Sequence, residues 1–238
     1  MTDRFDVIVV GGGIHGVGVA QAAAAGGRSV LLVEKSTLAA GTSSRSSKLI
    51  HGGLRYLEHY EFGLVAECLA ERRILLEIAP DLVRLEPFFM PVYRGARRGP
   101  ALLTAGLSLY ALLARFGPGA GFRLLSPRRA TQFSALRQEG LQTILRFSDA
   151  RTDDRLLTAA VMQSARELGA RLWMPAECTG VSLTADGVAA RIRRKETEHE
   201  VTGRVLVNAT GPWISRFMEL VNPVVETPSF ELVQGSHI

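Results

Sequence analysis

Cysteine is nearly absent from this 238-residue chain, and the two present, Cys68 and Cys178, complete neither a metal-ligand spacing nor a disulfide framework. Cysteine-stapled secreted scaffolds are thereby excluded, and a reducing, intracellular setting is expected. Lysine is almost as scarce, at Lys35, Lys48 and Lys195 alone, so arginine carries nearly all the positive charge behind the net +5. No basic stripe interleaved with aromatics accompanies it, which argues against a nucleic-acid partner; an anionic membrane surface or a phosphorylated substrate suits the charge better. Long apolar runs are missing too. Met1 to Asp6 is polar, and Val7 to Val10 is too short for a signal-peptide core or a membrane span, so no targeting segment is read at the N-terminus. There is no internal repeat and no low-complexity linker.

What is present is globular in composition, 47% hydrophobic and 21% charged, which excludes a disordered or collagenous chain. A chain of this length removes roughly 70% of its unfolded surface from water without staples, in one large domain or two small ones.

The pattern opens with a β-branched strand, Phe5 to Val10, halted at Gly11-Gly12-Gly13. A small-residue helix follows from Ile14 to Ala25 and closes at Gly26-Gly27, before a second buried strand, Ser29 to Val33. Ala39 to Ser47 is hydroxyl-rich and reads as loop. A helix is expected from Glu61 to Ile78, with Leu64, Val65, Cys68, Leu69, Leu75 and Leu76 on one side and Glu67, Glu71, Arg72 and Arg73 on another; Pro80 ends it. Residues 86–150 carry little pattern beyond a strand at Phe88 to Tyr93 and an arginine-flanked apolar helix at Ala101 to Phe116. Asp153 or Asp154 is placed to cap a helix running to Leu168, with Gly169 as its stop. Short strands then follow at Arg171–Met174, Cys178–Thr184, Val188–Arg194, His199–Thr202 and Arg204–Val207, with a hairpin turn at Asp186-Gly187.

Gly11, Gly13 and Gly16 fit G-x-G-x-x-G directly after a strand and at the opening of a helix. In that setting the first glycine permits a tight turn, the second lets a pyrophosphate approach the backbone, and the third lets helix and strand pack closely. Exposed N–H groups at the helix start bind phosphate. Glu34, ending the second strand, is placed to accept hydrogen bonds from an adenosine ribose and to disfavour a 2′-phosphate. A dinucleotide is therefore expected, with FAD and NAD both open at this point.

Three further segments narrow the choice: Thr42 to Glu58 (TSSRSSKLIHGGLRYLE), Val207 to Trp213 (VNATGPW), and Gly235-Ser236-His237-Ile238. Together they resemble the FAD-dependent glycerol-3-phosphate dehydrogenase family, in its respiratory, aerobic-type branch, over the N-terminal half of such a protein. The resemblance implies a Rossmann-like α/β FAD-binding domain of the glutathione-reductase/D-amino-acid-oxidase kind with an interleaved α+β substrate domain, truncated relative to the family. The FAD-binding parts would be 1–85 and 149–215, and the substrate-domain parts 86–148 and 216–238. FAD contacts are implied from Gly11, Gly13, Ile14 and Gly16 of the turn, and from Glu34 and Lys35. Thr42, Ser43, Ser44, Ser47, Lys48, Leu49, Gly52 and Gly53 continue the set, and Ala209, Thr210, Gly211 and Trp213 complete it. Gly52 and Gly53 are expected to let the chain pass close to a flat ring.

The implied reaction is oxidation of sn-glycerol 3-phosphate to dihydroxyacetone phosphate, with hydride transfer from C2 to flavin N5 and electrons passed on to quinone. Arg55 is expected to hold the substrate phosphate and Tyr56 to add a hydroxyl contact. His237 and His51 are the two choices for the base or for polarising the hydroxyl; His15 falls within the phosphate turn and reads as solvent-facing, and His59 and His199 have no motif support. A cytoplasmic protein, peripheral on the membrane, is implied, with room for a homo-oligomer. The 101–116 helix reads equally as an interfacial element or as a buried helix of the substrate region. The alternatives are a related flavoprotein acting on a 2-hydroxy acid or an amine, and a non-catalytic fragment retaining ADP- or FAD-binding elements.

Overall fold

The structure, a computed structural model, describes residues 3–128, 133, 136–226, 231 and 235. It divides into two compact units, one built from 1–47 and 153–238 and the other from 48–152.

Unit 1 begins with β1 (Asp3–Val10), α1 (Ile14–Ala25) and β2 (Val30–Val33). Val30 to Val33 is buried at every position, as a strand covered on both faces must be. The chain returns to this unit with α4 (Asp154–Glu167), β7 (Arg171–Trp173), β8 (Glu177–Thr184), β9 (Gly187–Arg194) and β10 (Thr197–Asn208), then α5 (Ile214–Met218) and β11 (Val221–Asn222). These strands form one seven-stranded sheet in the order β11-β8-β9-β10-β1-β2-β7. β10, β1, β2 and β7 run parallel, so their carboxyl ends, at Asn208, Val10, Val33 and Trp173, lie on one edge. On one face Val9, Val30 and Leu32 pack against Val17, Ala20 and Ala24 of α1 and Met162 and Ala165 of α4. On the other, Phe5, Ile8, Val10 and Leu31 meet Val181, Ala190 and Ile192. Cys178 belongs to that second core; burial pushes its thiol up to about 11, which keeps it protonated and unreactive. Asp153 caps α4 as expected, its carboxylate accepting from the N–H groups of Arg155 and Leu156 at 3.0 and 3.1 Å.

Unit 2 comprises β3 (Leu49–Ile50), α2 (Phe62–Ile78), β4 (Val83–Tyr93), α3 (Pro100–Leu113), β5 (Arg123–Leu125) and β6 (Leu141–Thr152). β6 is the centre of a four-stranded antiparallel sheet, pairing β4 along one edge and β3 and β5 along the other. Val65 and Leu69 of α2 pack on Tyr110 of α3, and Leu107 packs on Val92 and Leu145.

Several expectations need correction. β4 starts at Val83, not Phe88, and β6 was not expected at all. His199–Thr202 and Arg204–Val207 are one continuous strand, β10, because β9 pairs Thr197 to Gly203 and β1 pairs Val201 to Asn208, overlapping across the expected break. α2 turns Arg72 into the core with Val65 and Leu69, while Leu64 is exposed. The apolar 101–116 helix ends at Leu113, and Arg115 and Phe116 reverse the chain with φ of 50° and 52°. The chain passes from one unit to the other at 47/48 and back at 152/153, with β3 pairing to β6 within the second.

Candidate functional site

In unit 1 the turn after β1 is held by its lack of side chains. Gly11 has φ of 113°, and a Cβ there would collide with the carbonyl of Ala209. A Cβ at Gly16 would collide with the carbonyl of Gly11, so the helix sits on its own turn. The Glu34 carboxylate is buried beneath: Oε2 accepts the N–H of Gly12 at 2.7 Å, and Oε1 accepts the N–H and hydroxyl of Ser36 at 2.8 and 3.0 Å. Glu34 thus braces the glycine turn through the protein's own donors, with one acceptor site, on Oε2, remaining for a ribose.

The hydroxyl-rich loop meets this turn from within the same unit. A 3-10 turn at Thr42–Ser44 places Ser43 Oγ 2.9 Å from the N–H of Ile14, the first residue of α1. Ser43 accepts there and keeps its own proton for an outside acceptor. Gly41 lies under Trp213, whose ring is 5.3 Å from Lys35 Nζ. After β10, Asn208 Oδ1 accepts the N–H and hydroxyl of Thr210 at 3.2 and 2.6 Å, and Gly211 turns with φ of 61° into a 3-10 turn ending at Trp213. Gly11, Gly13, Ile14, Gly16, Glu34, Lys35, Thr42, Ser43, Ser44 and Ser47 therefore share one unit with Ala209, Thr210, Gly211 and Trp213. β1, β2 and β10 all deliver their turns to the same edge of the sheet. That is where a doubly wound fold binds its ligand.

Unit 2 holds Lys48, Leu49, His51, Gly52, Gly53, Arg55 and Tyr56. A cleft of about 570 Å³ is lined there by Leu49, His51, Gly53, Leu54, Arg55 and Tyr56, together with His59, Phe88, Phe147 and Asp149. His51 Nδ1 accepts the N–H of Gly53 at 3.1 Å, which leaves Nε2 as the protonated nitrogen of the neutral ring. Arg55 and Tyr56 are exposed on a 3-10 turn, Leu54–His59. Gly52 and Gly53 each have a local packing reason as well. A Cβ at Gly52 would collide with Leu69 and crowd the Tyr110 hydroxyl, and Gly53, with φ of 71°, would collide with the Tyr56 ring.

Asp149, His59, Phe88 and Phe147 were missed as cleft residues. Asp149 and Phe147 sit on the unforeseen β6, and Phe88 is set facing Phe147 by the β4–β6 register, so no local signal marks them. His237 lies outside the described residues.

The seven-stranded sheet, with its side-chain-free turn and braced acid, defines a dinucleotide-binding α/β protein carrying an inserted α+β unit. The chain belongs to the FAD dependent oxidoreductase family, whose model matches residues 6–238. It is 41% identical over 239 residues to glycerol-3-phosphate dehydrogenase of Pseudomonas aeruginosa, covering all of this chain and 46% of that protein. It is 37% identical over 235 residues to D-erythritol 1-phosphate dehydrogenase of Brucella abortus, covering 98% of this chain and 46% of that protein. The fold matches the FAD complex of glycerol-3-phosphate dehydrogenase from Bacillus halodurans with a TM-score of 0.68 at 26% identity, over 91% of this chain and 36% of that one. The chain thus spans about half the length of the curated relatives it matches.

The unit 1 residues fit the family's cofactor. The Gly11 and Gly16 cradle is one that a Cβ would fill, the edge is lined with hydroxyl and N–H donors suited to phosphates, and Glu34 suits an unphosphorylated ribose. No helix among the described residues is long and apolar enough to cross a membrane.

Proposed function

We propose that this chain contributes the ADP-binding part of a FAD site and a substrate cleft to a flavin-dependent dehydrogenase that oxidises sn-glycerol 3-phosphate to dihydroxyacetone phosphate, with quinone as the electron acceptor. The observation that carries the reading is the turn after β1, where Gly11 and Gly16 admit no side chain and Glu34 braces the backbone. The likeness at 41% identity to a glycerol-3-phosphate dehydrogenase supports the substrate.

FAD, when bound, supplies at N5 the acceptor for the hydride leaving substrate C2. Within unit 1, Gly13, Ile14, Ser43 and Ser44 would hold its phosphates and Glu34 its ribose, and the Thr210–Trp213 turn would add further contacts. In unit 2, Arg55 is given the substrate phosphate, because a guanidinium binds it bidentately, with Tyr56 beside it. His51, protonated on Nε2, donates toward the C2 hydroxyl and orients it. Removal of the hydroxyl proton then falls to His237.

The outward positions of α3 support peripheral contact with an anionic membrane: Leu102 is 63% exposed, and Phe116, just beyond the helix, 74%. Co-sedimentation that rises with anionic lipid supports that contact; binding indifferent to it removes the idea. One observation favours a second substrate, since a relative at 37% identity is named for D-erythritol 1-phosphate, another polyol phosphate. Anaerobic addition of each substrate to the purified yellow protein separates the two. Bleaching by glycerol 3-phosphate, with re-oxidation by a soluble quinone, is the expected result. Bleaching by the erythritol ester alone transfers the assignment, and a colourless protein overturns it.

A further inference from the structure

A buried polar network in unit 2 has no part in the chemistry above. Arg72 on α2, 2% exposed, pairs through Nη1 with Oδ1 of Asp149 on β6, 5% exposed, at 2.6 Å. The hydroxyl of Tyr110 on α3 donates to Asp149 Oδ2 at 3.1 Å and accepts the N–H of Gly52 at 2.8 Å. Burial, and then the Asp149 charge, push the Tyr110 phenol far above its ordinary range, so the hydroxyl keeps its proton. The chain of donation is therefore directional: Gly52 N–H to Tyr110, Tyr110 O–H to Asp149, and Asp149 held by Arg72. Arg72 also donates to the carbonyl of Ser148 at 3.4 Å, while its Nε is buried without a partner.

A network this deep is a weak source of net stability, since desolvating both charges offsets most of their attraction; one use for such a group is to select a single arrangement. Here the arrangement ends on the loop that carries the cleft. Gly52 has no space for a side chain between Leu69 and Tyr110, and the next N–H, that of Gly53, sets the tautomer of His51. Asp149, His51, Gly53 and Arg55 all line the one cleft.

We propose that Arg72, Asp149 and Tyr110 are positioning residues that lock the His51–Gly53 backbone and, through the Gly53 N–H, hold His51 as the Nε2-protonated donor. The inference rests on the proposed function for what His51 serves, and on the unit 2 geometry alone for the locking.

The test is Tyr110→Phe in the full protein, which keeps the ring and deletes both hydroxyl bonds. Nitrogen NMR of the His51 imidazole reads the tautomer, and hydrogen exchange reads the Gly52 and Gly53 amides. The variant should shift His51 from a single Nε2–H form to a mixture and speed exchange of both amides by about tenfold, the effect of one lost hydrogen bond. With glycerol 3-phosphate as substrate, kcat should fall more than KM rises. Asp149→Asn keeps the side-chain volume and must move the same signals in the same direction, which secures the test if Tyr110→Phe does not fold. An unchanged tautomer and unchanged amide exchange overturn the inference even in an active enzyme. The expected NMR shift in a protein that never reduces its flavin would instead sustain the locking and overturn the proposed function.

Discussion

Glu34 Oε2 lies 2.7 Å from the backbone nitrogen of Gly12, across the turn that separates β1 from α1, while Oε1 of the same carboxylate serves Ser36. Both oxygens face donors only. Glu34→Gln would set an amide N–H₂ against one of those N–H groups and leave it unsatisfied. The expected result is a loss of about 1–3 kcal/mol in stability, read as a lower urea midpoint, together with flavin lost on dialysis. An unchanged midpoint and unchanged flavin content would show that the acid does not brace the turn.

Two glycines of α1 should respond in opposite directions to the same change. Gly16→Ala would drive its Cβ into the carbonyl of Gly11, so the protein should lose flavin and stability together. Gly18→Ala meets nothing within 4 Å and should stabilise the helix by about 0.5–1 kcal/mol, with full flavin content. Thermal melts and flavin absorbance of the pair separate a cofactor cradle from a general intolerance of this helix to side chains.

Arg55→Ala should raise the KM for glycerol 3-phosphate by about tenfold to a hundredfold, the effect of losing a charge-assisted bond, with the melting temperature little changed. Arg55→Lys should recover part of the loss, since a point charge replaces a bidentate fork. Wild-type KM in Arg55→Ala would remove this residue from the substrate phosphate.

Acid stability should depend on Asp6. Its carboxylate accepts the N–H and hydroxyl of Ser29 at 2.9 and 2.8 Å, and these bonds hold its pKa below the ordinary 3.8. Because the folded value is the depressed one, the contribution is complete above pH 3.8 and fades as pH falls through the folded pKa. Asp6→Asn should therefore flatten the stability profile on the acid side of that point and leave its shape at neutral pH unchanged. An unaltered acid limb in urea melts would refute the linkage.

Local signals were the legible ones. The buried run Val30–Val33, the glycine turn, the α1 limits and the Asp153 cap each declare themselves within a few residues. β6 was hidden because Arg146, Asp149 and Arg151 interrupt its apolar positions, and Asp149 is tolerable inside only through partners distant in sequence. Arg72 was read by chemical type, although its spacing of seven from Val65 places it on the same helix stripe; a charge on such a stripe requires a buried counter-charge. The site residues on either side of Ser47 carry one continuous motif yet belong to two units, a division invisible in composition.

The inserted unit closes on itself where it leaves the sheet. Lys48 C=O accepts the N–H of Thr152 at 2.9 Å, and on the unit 1 side Ser46 Oγ donates to Asp154 at 2.8 Å. Exit and re-entry thus occur through neighbouring residues, the geometry that lets one domain be spliced into another without reordering its host's strands. Unit 2 is in that sense an exchangeable cassette. The stretch between Lys48 and Thr152 interrupts unit 1 without entering the register of β1, β2 and β10.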